Sequence, residues 1–348
     1  MRKLIPLTMT ETRQDIIDFC MTAPEAELEP LFEQAWTQSR QRFGNSISLN
    51  VPGMVSYETE HIAEDDPFRF PSISITGPAC SLGCEHCDAK MVETMIPATT
   101  PEALWDMFLK TVERGGTGCL VSGGSTLAGD VPLLRFIPTI KRAKQELGLA
   151  IVVHTGVVYE EVAAALGEAG IDGAMLDIMG SNDTIREIYH LDLMKEAFEH
   201  SMELLNRYGV PLMPHIVVGL QRGELRGEAE AVRMIARHNP ERVMVVAFKP
   251  LLGTPMENSP TSTPLEIARV VLACRLAMPD TTVIMGCARP PGEHKVETDR
   301  LVIRAGVNGM AYPSEEGHDF ARELGLDISV SSGCCCLMDD EAKGGCCN

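Results

Sequence analysis

Residues 72–87 read SISITGPACSLGCEHC, and this stretch decides the fold. Its first half is a short run with β-branched residues that stops at Gly77-Pro78, the punctuation of a strand entering a loop. Its second half sets Cys80, Cys84 and Cys87 at x3 and x2 spacing directly after that strand. Reactive groups on a loop at a strand's C-terminal end are the habit of parallel α/β folds. Such a fold needs further strand-then-helix units downstream, and the sequence supplies them. Short apolar runs at 119–124, 150–156, 173–178, 211–219, 242–248, 281–287 and 309–313 read as strands. Between them lie amphipathic stretches such as TPEALWDMFLKTVERG, YEEVAAALGEAG and MKEAFEHSMELLNRYG, several ending in Gly as helices often do. Eight such units predict an α/β protein built as a TIM-type (β/α)8 barrel over 72–330. A doubly wound open sheet is the alternative, but no GxGxxG follows a strand.

Outward from the barrel, residues 1–71 read as an N-terminal helical extension and an extended lead-in, with helical spacing over 11–44. Residues 331–348, SSGCCCLMDDEAKGGCCN, have little to pack and form a Cys-rich C-terminal tail. The chain has 348 residues, of which 45% are hydrophobic and 23% charged, as expected of a soluble globular protein. No run of 18 apolar residues is present, so no membrane span or membrane partner is expected. The basic start MRKLIPLTMTETRQD is too short and broken in its apolar part for a signal peptide, so the expected location is cytoplasmic. A net charge of −19 repels phosphate backbones and argues against a nucleic-acid partner.

Twelve cysteines in a reducing compartment do not read as a disulfide framework. Three lie at 80–87 and five at 334–347, and clustered thiols of this kind point to metal. Three thiolates at this spacing can hold one face of a [4Fe–4S] cluster and leave the fourth iron without a protein ligand. The competing reading is a zinc site, which wants four ligands. His86 is the available fourth, but it is pinned between two cysteines.

With CxxxCxxC after the first barrel strand, the chain resembles the radical S-adenosylmethionine (SAM) superfamily over residues 72–315. The resemblance implies that the open iron binds SAM, and that reductive cleavage of SAM yields a radical that abstracts a substrate hydrogen. A ferredoxin- or flavodoxin-type electron donor is implied with it. The segment Ser122-Gly123-Gly124-Ser125 falls where the superfamily has a Gly-Gly-Glu element against the SAM amino group; here Ser125 replaces the Glu. Gly-Gly at a strand end is equally a plain turn. His86 falls where an aromatic residue often lies near adenine, and Asp177 ends the fourth strand pointing at ribose or substrate. A carboxylate buried in a strand is costly without a partner, so a satisfied structural acid is its other reading. His154 and His215 end strands and could face the mouth or be satisfied core histidines. Lys195 is a further candidate for the SAM carboxylate.

In plan the chain is similar to biotin synthase: LFEQAWTQSRQRFGN, FKPLLGTPMEN, Gly286-Cys287-Ala288-Arg289 and AGVNGMAY carry the likeness. Biotin synthase holds a second cluster through cysteines on strands two, three and five and an arginine on strand seven. Here Cys119 and Arg289 remain, while Val152 and Met213 occupy the other positions, so that second site is broken. Cys334, Cys335, Cys336, Cys346 and Cys347 are its candidate replacement, a second [4Fe–4S] cluster on the tail, with Cys287 and Arg289 as catalytic candidates beside it. A redox-labile or chance cysteine tail is the bland reading. The lead-in LNVPGMVSYE, the loop GCARPPG and the tail resemble one subunit of the two-protein lipoyl synthase. That resemblance implies sulfur insertion into octanoyl-lysine on a carrier such as H protein or a lipoyl domain, with a homologous second subunit as partner. The alternative is a radical SAM mutase or another cofactor-biosynthesis enzyme with one working cluster, similar to methylornithine synthase. A non-enzymatic iron–sulfur carrier is the third reading, and a deep barrel mouth argues against it.

Overall fold

The computed structural model describes residues 11–52, 57–64 and 66–337. Its strands are β1 (Ser46–Asn50), β2 (Tyr57–Glu58), β3 (Ala63–Glu64), β4 (Ser72–Ser74), β5 (Ile96–Pro97), β6 (Gly118–Ser122), β7 (Ala150–His154), β8 (Gly173–Asp177), β9 (Leu212–Val218), β10 (Arg242–Ala247), β11 (Thr282–Met285), β12 (Gly309–Ala311) and β13 (Asp327–Ser331). Eleven of them form one sheet in the order β13-β1-β12-β11-β10-β9-β8-β7-β6-β4-β5, parallel at every pairing. The eight predicted strands are β4 and β6–β12, neighbours in chain order as a (β/α)8 plan requires. With β5 and β13 at its two ends, the sheet is an open half-barrel.

The strands read as near-continuous apolar runs because a parallel sheet is covered on both faces. Ile151, Val152 and Val153 in β7 are all fully buried. The outer layer is made of the predicted helices, and local chemistry fixes their ends. Thr263 and Glu266 form a reciprocal capping box on the helix Pro264–Ala277, and the glycines Gly148 and Gly170 end two helices in the left-handed conformation. The N-terminal helices Glu11–Thr22 and Glu29–Phe43 pack outside this layer. Arg269 anchors the first of them by donating to the carbonyls of Cys20 and Ala23.

The lead-in holds a strand that its sequence did not show. β1 inserts between β12 and β13, in register Ser48 with Gly309 and Ser46 with Asp327. SISLN is short and polar at alternate positions, and its partners lie more than 250 residues away, so no local signal marks the pairing. Its effect is topological. Because β13 runs parallel to β1, the chain leaving Ser331 emerges at the C-terminal edge of the sheet, where the loops of the barrel mouth lie. From there the short helical turn Cys335–Leu337 folds inward, with Cys335 and Cys336 buried in the common core.

Candidate active site

The loop after β4 is held from below by Thr76. Its hydroxyl accepts the N–H of Gly124 at 2.7 Å and donates to the carbonyl of Ala79 at 2.8 Å. Ser81 N–H donates to Ser125 O at 2.9 Å, so the loop after β6 and the cysteine loop are laced together. Gly124 is obligatory here. A Cβ at that position would stand 2.1 Å from Ala79 O and 2.5 Å from Cys80 Cα. The Gly-Gly segment is thus a cradle for the cysteine loop, and sequence reasoning saw the glycines but not the Thr76 that engages them.

Within the loop, Cys84, His86 and Cys87 bring ligand atoms within 4.8 Å of one another, and Cys80 lines the same cavity outside that tight set. A hydrogen bond from the Cys84 thiol, joined by one to His86, pulls Cys87 down to about 4, while the same pairing and burial push Cys84 up. His86 Nδ1 is buried with no protein partner. This donor set fits a [4Fe–4S] cluster better than zinc. A cubane gives each thiolate its own iron and spreads the three sulfurs, whereas one zinc gathers four ligands around a point.

The loop forms one wall of a cavity of about 350 Å³, in the range of small-molecule sites. Its lining brings together candidates named from the sequence: Cys80, Cys84, Cys87, His86, Ser122, Gly123, Gly124, Ser125, His154, Asp177 and His215, with Cys287, Cys334 and Cys335. Asp177 is held by one ring and faced by two more. Tyr189 Oη donates to its Oδ2 at 3.2 Å, His154 Nε2 stands 3.7 Å from its Oδ1, and His215 lies beside His154 with ring centroids 5.9 Å apart. Burial raises the Asp177 carboxyl, but His154, His215 and His86 together prevail and hold it near 2, so it is ionised. Burial pushes His215 down to about 4, and its Nδ1 donates to Met213 O at 3.1 Å, which leaves Nε2 as a lone pair. Tyr189 was not foreseen. It follows a short helix in a loop, and nothing local marks it, yet its ring also packs on His86 at 5.1 Å.

Three predicted residues are placed elsewhere. Lys195 Nζ pairs with Glu230 at 2.9 Å and is not among the residues lining the cavity, so it has no place against SAM. Arg289 is fully buried. Its guanidinium meets Asp299 at 2.7 Å and donates to the carbonyls of Gly286, Ala311 and Tyr312, so it positions the loop bearing Cys287 and does not reach the cavity. Cys119 faces the helices, not the barrel interior. Strand side chains alternate; Leu120 and Ser122 line the cavity, and the charges nearest Cys119 are those of the half-buried pair Lys144 and Asp172. The residue that appeared to survive from a biotin-type second site is therefore on the wrong face.

The tail thiols lie inside. Cys336 Sγ is 3.0 Å from Cys334 Sγ, and Cys335 is within hydrogen-bond reach of both Cys334 and Cys287. These contacts lower Cys334 and raise Cys335 and Cys336, and His215 adds to the stabilisation of a Cys334 thiolate. Arg242 holds the turn by donating to Cys336 O at 3.1 Å. Cys346 and Cys347 lie outside the described residues.

Residues 74–234 match the Radical SAM superfamily, and residues 245–330 match the Biotin and Thiamin Synthesis associated domain. Fold, cysteine loop and matches together define a radical SAM enzyme. Within that superfamily the chain is biotin synthase-like. It is 24% identical over 249 residues to biotin synthase of Synechococcus sp. (strain WH7803), covering 69% of this chain and 74% of that one. It is 26% identical over 268 residues to biotin synthase of Hyphomonas neptunium, covering 74% and 80%. Among solved structures it resembles methylornithine synthase with a TM-score of 0.62 at 17% identity, over 93% of this chain and 95% of that one. A maturase of the [FeFe]-hydrogenase aligns with a TM-score of 0.63 at 14% identity, over 92% and 76%. No helix among the described residues is long and apolar enough to cross a membrane.

The family implies a [4Fe–4S] cluster on Cys80, Cys84 and Cys87 that supplies an electron and an open iron to SAM. The protein's own part is positional. The apolar lining from Leu82, Leu120, Met175 and Val246 would limit the water around a reactive centre generated there. The Asp177 carboxylate offers a fixed acceptor for a hydroxyl or ammonium group in the cavity.

Proposed function

We propose that this enzyme is a radical SAM sulfurtransferase, a subunit of a two-protein lipoyl synthase. It adds sulfur to octanoyl-lysine on a carrier protein such as H protein or a lipoyl domain, with a homologous second subunit completing the product. An electron donor of ferredoxin or flavodoxin type serves it. The observation that carries this reading is the tail folded into the barrel. Cys334 and Cys335 meet Cys287 in the same cavity as the cysteine loop, and Cys336 lies behind them, 3.0 Å from Cys334 Sγ. These thiols provide the ligands for an auxiliary [4Fe–4S] cluster, which supplies sulfide beside the substrate. The biotin synthase relatives support sulfur chemistry, and the outward-facing Cys119 argues against biotin-type ligation of that second cluster.

Two measurements test it. Anaerobic reconstitution gives about eight irons per chain in the native protein and about four when Cys334, Cys335 and Cys336 are all changed to Ala, with SAM cleavage kept. Incubation with octanoylated carrier peptide, SAM and reductant adds the mass of one sulfur. If the triple variant still turns over its native substrate, the tail is dispensable and the mutase reading, to which the methylornithine synthase likeness corresponds, replaces this one.

A further inference from the structure

Away from the barrel cavity, a second constellation of ligand-type side chains joins two distant parts of the chain. His61 sits in the turn of the β2–β3 hairpin, and His318 and Asp319 sit on the helix Glu315–Glu323. The two imidazoles stack with centroids 4.1 Å apart and planes 21° from parallel. Asp319 Oδ1 lies 3.2 Å from His61 Nε2 and 3.7 Å from His318 Nδ1. One ligand atom from each of the three falls within 4.8 Å of the others, and Glu60 and Glu315 form a similar set around His61. His318 Nδ1 is buried and has no hydrogen-bond partner, the kind of orphan atom that calls for an explanation.

We propose that His61, His318 and Asp319 form a binding site for a borderline divalent cation of the zinc class. Metal–nitrogen and metal–oxygen bonds of about 2.0–2.1 Å around a tetrahedral ion put ligand atoms roughly 3.3 Å apart. The observed 3.2 and 3.7 Å bracket that spacing. Two imidazoles with a carboxylate suit zinc, nickel or cobalt, and not calcium or magnesium, which prefer all-oxygen shells. Arg322 donates to Asp319 Oδ1 at 2.7 Å, but its side chain is 64% exposed and can swing away.

The hairpin turn and the helix that carry the ligands are held by protein contacts, and one of the stacked rings must turn about its Cβ–Cγ bond for both imidazoles to aim a lone pair at one ion. Thr59 Oγ1 accepts the N–H of Ile62 at 3.1 Å and closes the turn, and Ile62 is buried. Tyr57 packs on Tyr312 with ring centroids 5.4 Å apart and donates its hydroxyl to Pro313 O. A bound ion would staple the hairpin to the helix Glu315–Glu323. The role is structural, and the site is independent of the cysteine loop and of the tail thiols.

The test uses cluster-loaded enzyme, so that the cysteines are occupied, given one equivalent of Zn²⁺ and dialysed. Zinc K-edge absorption is free of interference from iron. The expected result is one retained zinc per chain with a nitrogen and oxygen shell and two imidazoles. His61→Ala and His318→Ala should each cut retention at least tenfold while leaving SAM cleavage and circular dichroism unchanged. A sulfur shell in the native protein, failure to retain zinc, or the same nitrogen and oxygen shell in the His61→Ala/His318→Ala double variant would overturn the proposal.

Discussion

At the scale of single residues, the cysteine loop depends on two groups that are not ligands. Thr76 Oγ1 bridges Gly124 N–H and Ala79 O, and Gly124 leaves no room for a side chain. Gly124→Ala should push the loop away from β6. The expected outcome is a soluble protein that takes up less than half the iron of the native enzyme in its SAM-cleaving site, read by EPR of the reduced protein. Thr76→Val keeps the volume but orphans both partners, which should cost about 1–3 kcal/mol of stability and shows as a lower Tm. Cys80, Cys84 and Cys87 were legible because their spacing is local. Asp177 and His154 were legible as strand ends, since a strand's last residues in this fold face the mouth. Tyr189 was not, because its place follows from a loop that crosses behind the cysteines. Lys195 was misread because spacing along a helix does not say which neighbour a cation will find; Glu230 is one helix away.

At the scale of elements, the helix Pro264–Ala277 carries its own start signal in Thr263 and Glu266. Thr263→Ala removes a side-chain cap and should cost about 1 kcal/mol, a drop of about 1–2 °C in Tm by calorimetry. The helices and inner strands were readable because their periodicity is written within 10–15 residues. β1 was not, because its pairing with β12 and β13 joins segments from opposite ends of the chain. The loop carrying Cys287 shows a related effect. Its register depends on Arg289, buried against Asp299 and three carbonyls. Arg289→Met removes the main partner of the buried Asp299, leaving it the Ser314 N–H and Lys295 at 3.8 Å, and should cost about 3 kcal/mol, seen as a lowered denaturant midpoint. A catalytic Arg289 would instead lose turnover with an unchanged midpoint.

At the scale of the whole molecule, stability should respond to pH through Glu228, which lies 5% exposed at the end of β9 and accepts the Gly219 N–H at 2.8 Å. Burial raises its carboxyl to about 7 from an ordinary value of 4.5. Between those values the unfolded chain releases a proton that the folded chain keeps. Stability from this group is therefore fully present below about pH 4.5 and is lost as pH rises through 7, by an amount on the order of 3 kcal/mol. Glu228→Gln should remove that slope. Its Tm should exceed that of the native protein at pH 8 and approach it at pH 5; a constant difference across the range would count against a titrating Glu228.

The sequence by itself determined the parallel α/β plan, the cysteine loop and the strand-end polar groups, because each is encoded in short-range pattern: period, punctuation and spacing. Only the tertiary structure decided which thiols share a cavity. It turned Cys119 outward by the alternation of a strand whose register is set by its neighbours, and it led the tail inward because β13 lies parallel to β1. The course of the tail depends on pairings between segments from opposite ends of the chain, and the facing of Cys119 on the pairing of β6 with β4 and β7, each outside its local window. Such pairings are selected by burial of the assembled sheet and leave no mark in any local window of residues.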